Sequence, residues 1–217
     1  MRNIFLISGL GADKRMFQYL QLPAHLQQHH VEWIAPEHPD EPLHSYALRL
    51  KQQITDPNPI LLGLSYGGVV AIELAKLLKP EKTIIISSMA TSCALPWYYR
   101  MLGKTQLHRR VPLRLLQSGW PLAPWFFGAH TPPEKKLLKE IILDIDEAYL
   151  RWSLGRLLNW QQAERLPGLV QLHGTADRVL PLCSNPALIR VEGGEHLMVM
   201  DRAPEISGIL SQILAST

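Results

Sequence analysis

The stretch Pro59-Ile60-Leu61-Leu62-Gly63-Leu64-Ser65-Tyr66-Gly67-Gly68 constrains the chain more than any other. A short apolar run reads as a buried strand, and from Val69 to Leu78 apolar residues recur at helical spacing. Between them lies Gly-x-Ser-x-Gly, the pattern of a nucleophile elbow. A turn this sharp strains the backbone of its central residue and lifts the serine hydroxyl clear of the sheet edge. Side chains at Gly63 and Gly67 would collide with the neighbouring strand and helix. The helix that starts at the serine aims its first amides, including that of Tyr66, at any oxyanion forming above it. A chance match in a glycine-rich turn would rarely fall between a buried strand and a helix.

The rest of the first half repeats the alternation. Asn3–Ile7 reads as a buried strand running into the glycine-rich turn Ser8-Gly9-Leu10-Gly11-Ala12-Asp13. That turn lacks the third glycine of a dinucleotide loop. Arg15–Leu20 suggests a short helix and Val31–Ala35 a second strand. Leu43, Ala47, Leu50 and Ile54 share one helical face, and Thr83–Ile86 reads as the strand after the elbow helix, which stops before Pro80. A β-α-β-α-β-α-β order implies a doubly wound α/β fold, a parallel sheet with helices on both faces.

From about Ala90 to Leu166 no strand-like segment is evident. Thr131, Pro132 and Glu134 form a capping-box helix start, followed by the apolar stripe Leu137, Leu138, Ile141, Ile142 and Ile145. A structureless connection of that length is improbable, so a helical insertion is expected over 90–166, with the core formed by 1–89 and 167–217. Five of the six tryptophans fall in the insertion. Packing against the core is the ordinary use of such aromatics, while Trp97, Trp125 and Trp152 are candidates to line an apolar substrate pocket. Strands then return at Leu169–Leu172 and Ala187–Val191, and an amphipathic helix over about 204–214 closes the chain.

A serine hydroxyl needs a base, and the base needs an orienting acid. Each candidate sits in a loop just after a strand, and in a parallel sheet all such loops share one edge. Asp177 follows a strand in the turn His173-Gly174-Thr175-Ala176-Asp177, unlike its competitors Asp144, Asp146 and Asp201. His196 follows a strand through Gly193-Gly194, whereas His25, His29, His30 and His108 sit in polar or helical stretches and are expected at the surface. His173 is expected to support the Asp177 turn. The order Ser65, Asp177, His196 is that of the α/β-hydrolases.

Taken together, these motifs resemble the α/β-hydrolase family over nearly the whole chain. The resemblance implies that the Ser8–Asp13 turn is the family's oxyanion loop, with Leu10 donating the second amide beside Tyr66. Ser8 stands where the family usually has histidine. It also implies that the helical insertion is a cap. The two antiparallel edge strands of larger members are absent. The expected core is therefore a minimal six-stranded parallel sheet ordered second-first-third-fourth-fifth-sixth.

Composition narrows the function. A net charge of +3 with no basic run beyond Arg109-Arg110 argues against nucleic acid. No Cys-x-x-Cys or His-Glu-x-x-His metal pattern is present, so neither metal nor cofactor is expected. Cys93 and Cys183 make no disulfide framework and are expected as small buried or half-buried thiols. The N-terminus lacks the long apolar core and cleavage site of a signal peptide, and no apolar segment reaches membrane-spanning length, which suggests the cytoplasm. The expected activity is hydrolysis of a small apolar carboxylic ester through an acyl-enzyme. Thioesterase, acyltransferase, amidase and carbon–carbon hydrolase chemistry would use the same residues, and a non-catalytic ligand-binding module would use the same fold. The substrate and oligomeric state are not encoded in these patterns.

Overall fold

The computed structural model describes residues 2–182 and 187–215. Six strands form one sheet: β1 (Arg2–Ile7), β2 (Leu26–Val31), β3 (Ile60–Leu64), β4 (Lys82–Ile86), β5 (Val170–Gly174) and β6 (Ile189–Val191). Their spatial order is β2-β1-β3-β4-β5-β6, with every neighbouring pair parallel, as expected. The central strands read as unbroken apolar runs because both sheet faces are covered. Ile60, Leu62 and Leu64 of β3 join one core layer and Leu61 joins the other. The first layer packs against the C-terminal helix Ala203–Ala215 through Ile206, Leu210 and Leu214. The second packs against α1 (Leu43–Leu50) and α2 (Tyr66–Leu77), and α2 is buried over its first three turns.

The second strand is Leu26–Val31, not the apolar run Val31–Ala35. Its sequence, LQQHHV, is polar because β2 is the edge strand and only its end residues are fully buried. The apolar residues beyond it serve the next turn instead. The indole of Trp33 donates to the carbonyl of Gly9 at 3.1 Å, and the Tyr46 hydroxyl donates to the carbonyl of Ile34 at 2.9 Å.

Between β4 and β5 all regular structure is helical: α3 (Trp97–Thr105), α4 (Leu113–Ser118), α5 (Ala123–Phe127), α6 (Pro132–Asp144) and α7 (Glu147–Leu158). The capping box at the start of α6 is formed, with Glu134 accepting from the Thr131 amide at 2.9 Å. Two tryptophans pin this segment to the core. The Trp152 indole donates to the Glu41 carbonyl at 2.8 Å, and the Trp160 indole donates to the Glu73 carboxylate at 2.8 Å.

Two expectations fail locally. His108 is buried rather than at the surface, because Gly155 of α7 leaves room for its ring. Burial pushes its pKa below the usual histidine value, and neither ring nitrogen has a partner among the described residues. Cys93 is exposed in the short turn Ser92–Ala94, where the chain leaves β4 for the surface. Cys183 lies outside the described residues.

Candidate active site

Ser65 occupies the junction of β3 and α2 with φ 53° and ψ −121°. Left-handed φ is unfavourable for a residue bearing a Cβ, so the surroundings must impose it. They do so by close approach. A Cβ on Gly63 would lie 2.4 Å from the Gly67 carbonyl oxygen, and one on Gly67 would lie 2.2 Å from the carbonyl oxygens of Ile7 and Ser8. The Ser65 amide donates to Ile86 at 2.9 Å, and Ser88 Oγ donates to the Ser65 carbonyl at 2.6 Å. Ser65 is itself half-buried in an otherwise buried stretch, so its hydroxyl stays reachable.

The other two residues arrive by a second close approach. A Cβ on Gly174, at the end of β5, would lie 2.1 Å from the Gly194 carbonyl oxygen. Glycine at both positions lets the loops after β5 and β6 touch, and the Ala176 amide donates to Gly194 at 2.9 Å. Asp177 and His196 are thereby set side by side. His196 Nδ1 lies 2.8 Å from Asp177 Oδ2, and His196 Nε2 lies 2.9 Å from Ser65 Oγ. A carboxylate only accepts, so Nδ1 carries the proton and Nε2 is left to accept from the serine hydroxyl. Asp177 Oδ1 accepts from the amides of Val179 and Leu180 at 2.9 and 2.8 Å. His173 Nε2 donates to the Leu180 carbonyl at 2.7 Å and so closes the Asp177 turn. Asp177 and His196 are both buried, which strengthens these contacts relative to water.

The turn after β1 lies beside the serine. Gly9 approaches closely enough that an added Cβ would sit 3.7 Å from Ser65 Cβ. Ser8 Oγ donates to the Ala12 carbonyl at 2.5 Å, and the Ala12 amide returns to Gly9 at 3.0 Å. Ser8 thus closes the turn that displays Leu10. Tyr66 is the first residue of α2, so its amide has no carbonyl within the helix. Burial holds the Tyr66 phenol well above its ordinary pKa and therefore neutral, leaving the amide as its useful group.

Of the three tryptophans expected at a pocket, Trp152 is buried against Tyr46, with ring centroids 4.3 Å apart, while Trp97 and Trp125 are exposed. The ring that meets the histidine is Phe127, edge-on at 5.5 Å. Ile145 packs on Gly11, so the segment between β4 and β5 touches both the histidine and the turn after β1 with apolar side chains. A charged cluster holds this segment in place. Arg178 pairs with Glu195 and donates to the Trp125 carbonyl at 2.8 Å, and His130 Nε2 lies 2.5 Å from Glu195 Oε2. The Leu197 amide donates to the Phe127 carbonyl at 3.0 Å. Phe127 belongs to the insertion's aromatic set, from which the sequence does not single it out, and sequence reasoning missed Arg178 and Glu195. The one available signal was that Arg178 and Glu195 adjoin Asp177 and His196 in the chain.

Asp201, the rejected competitor, sits in the short helix α8 (Met198–Asp201) with Oδ1 buried and unpartnered among the described residues. Desolvation, then the nearby Glu134 carboxylate, raises its pKa. A raised carboxyl pKa favours folding only below the unfolded value, and that contribution is lost as pH rises through the folded value. Asp201→Asn should therefore raise the thermal midpoint at neutral pH by about 2–4 °C for each ~1 kcal/mol gained, with the gain vanishing as pH falls. A calorimetric pH series checks this. An equal gain at every pH would rule out ionisation as its source.

The sequence model described as the alpha/beta hydrolase family matches residues 4–207. An enol-lactonase from Burkholderia xenovorans LB400 superposes with TM-score 0.74 at 17% identity, over 99% of this chain and 91% of that one. A thermophilic esterase from Thermogutta terrifontis superposes with TM-score 0.71 at 15% identity, over 100% and 90%. A bromoperoxidase from Bacillus anthracis gives TM-score 0.71 at 14% identity, over 99% and 92%. At these identities the neighbours establish shared fold alone. No curated protein matches the chain.

Proposed function

This chain belongs to the α/β-hydrolase family and is a hydrolase, and on that premise we propose that it cleaves small apolar carboxylic esters through an acyl-serine intermediate. The observation that carries the proposal is the continuous hydrogen-bonded path Ser65–His196–Asp177, with 2.9 and 2.8 Å links. Ser65 Oγ attacks the ester carbonyl as His196 Nε2 takes its proton. Asp177 orients the ring and stabilises the imidazolium. The amides of Leu10 and Tyr66 receive the developing oxyanion. His196 then protonates the leaving alkoxide, and water, activated by the same base, releases the acid.

The helical segment 90–166 acts as the cap of this site. Phe127 and Ile145, which it contributes, favour an apolar acyl group over a charged one. The lactonase named for the Burkholderia neighbour performs ester chemistry within a ring, so lactones belong among the substrates to try. The exposed thiol of Cys93 is compatible with the reducing cytoplasm, which we take as the compartment.

A fluorophosphonate probe tests the proposal directly. It should label the protein at Ser65, identified by peptide mapping, and short-chain p-nitrophenyl esters should compete for the label and be turned over. Absence of labelling would overturn the acyl-serine proposal. Labelling without ester turnover would redirect the search to thioesters and amides with the same residues.

A further inference from the structure

Acidic residues are missing from one long part of the chain. From Lys82 through Pro133 there is no aspartate or glutamate, while Arg100, Lys104, Arg109, Arg110 and Arg114 fall within α3, α4 and the turn between them. The same part holds the five most exposed large apolar side chains among the described residues: Trp97, Met101, Leu115, Leu122 and Trp125. Their exposures run from 56% for Met101 to 73% for Leu122.

Helix α3 shows how the two features combine. At 100° per residue, Trp97, Met101, Tyr98 and Leu102 span an arc of about 140°, flanked along its Trp97 edge by Lys104 and Arg100. All four apolar residues are exposed. The opposite side of the helix, at Gly103, abuts Leu158 of α7. An ordinary surface helix turns its apolar stripe inward, and α3 turns it outward. Arg109 pairs with Asp40, but Arg100, Lys104, Arg110 and Arg114 have no acidic partner among the described residues.

We propose that this face docks on an anionic lipid surface. Tryptophan, methionine and leucine enter the headgroup boundary while arginine and lysine extend to the phosphates. A second copy of the chain fits poorly, because a two-fold contact would bring together two copies of a basic part that holds no acidic residue to pair with it. A nucleic acid would answer the charge but leave the leucines and the methionine in water. No helix among the described residues is long and apolar enough to cross a membrane. The proposal does not depend on the ester chemistry.

Cosedimentation with sucrose-loaded vesicles tests it. The protein should pellet with vesicles of equal parts phosphatidylglycerol and phosphatidylcholine, pellet far less with pure phosphatidylcholine, and detach as salt rises. Two double variants probe the two components: Arg100→Glu with Lys104→Glu, and Met101→Ser with Leu102→Ser. Each should weaken partitioning at least about tenfold, with an unchanged circular dichroism spectrum and thermal midpoint. The proposal is overturned by failure to pellet with the anionic vesicles, or by variants that bind as well as the parent. It is equally overturned by a dimer in analytical ultracentrifugation that both variants dissolve, which would make a second copy the occupant.

Discussion

Ser65→Ala is expected to lower kcat by roughly 10⁴- to 10⁶-fold while leaving the fold intact. The loss should be large because the proposed mechanism makes this hydroxyl the nucleophile, and without it no acyl-enzyme could form. The fold should survive because alanine keeps the Cβ and hence the backbone preference of serine. The φ of 53° at this position is imposed by the surroundings and not by the hydroxyl. The Ser65 amide and carbonyl keep their bonds to Ile86 and Ser88. Steady-state kinetics with an activated ester, alongside a thermal melt, provides the check. Activity within tenfold of the parent would remove Ser65 from the mechanism.

Asp177→Asn is expected to cost about 10⁴-fold in kcat, and the structure explains why an isosteric change does so much. Asp177 Oδ1 accepts two backbone amides, from Val179 and Leu180. Only the carbonyl oxygen of asparagine can take that place. Its NH₂ group must then face His196 Nδ1, which has to become an acceptor. The proton moves to Nε2, where the ring should accept from Ser65, and the base is blocked. The geometry survives and the tautomer is wrong. Asp201→Asn makes the control, since its carboxylate sits on α8, takes no part in the hydrogen bonds that join Ser65, His196 and Asp177, and should leave kcat nearly unchanged. A reversed pair of results would make Asp201 the orienting acid. Nitrogen-15 spectra of His196 should report the tautomer change independently of rate.

Much of the geometry of this candidate site was readable from the chain because its signals are local. The elbow needs glycines two residues either side of a serine, and both collisions that they avoid occur at Gly63 and Gly67. The central strands β1, β3 and β4 are buried on both faces, so each appears as an apolar run within one residue of its observed limits. Asp177 and His196 could be chosen because a parallel sheet brings every strand's C-terminal loop to one edge, and topology follows from the alternation of elements.

What escaped the sequence was decided by contacts between distant parts. An edge strand is half solvated, so β2 carries glutamines and histidines that no apolar pattern marks, and the apolar Trp33 and Ile34 beyond it bind other turns. An aromatic residue's use depends on what packs against it. Trp152 became a pin into Glu41, and Phe127 became the neighbour of His196. Neither outcome is encoded in residue type or spacing. The helical periodicity of α3 is plain in the sequence, but which side of it faces solvent is not. Only the packing of Gly103 on α7 turns its tryptophan and methionine outward.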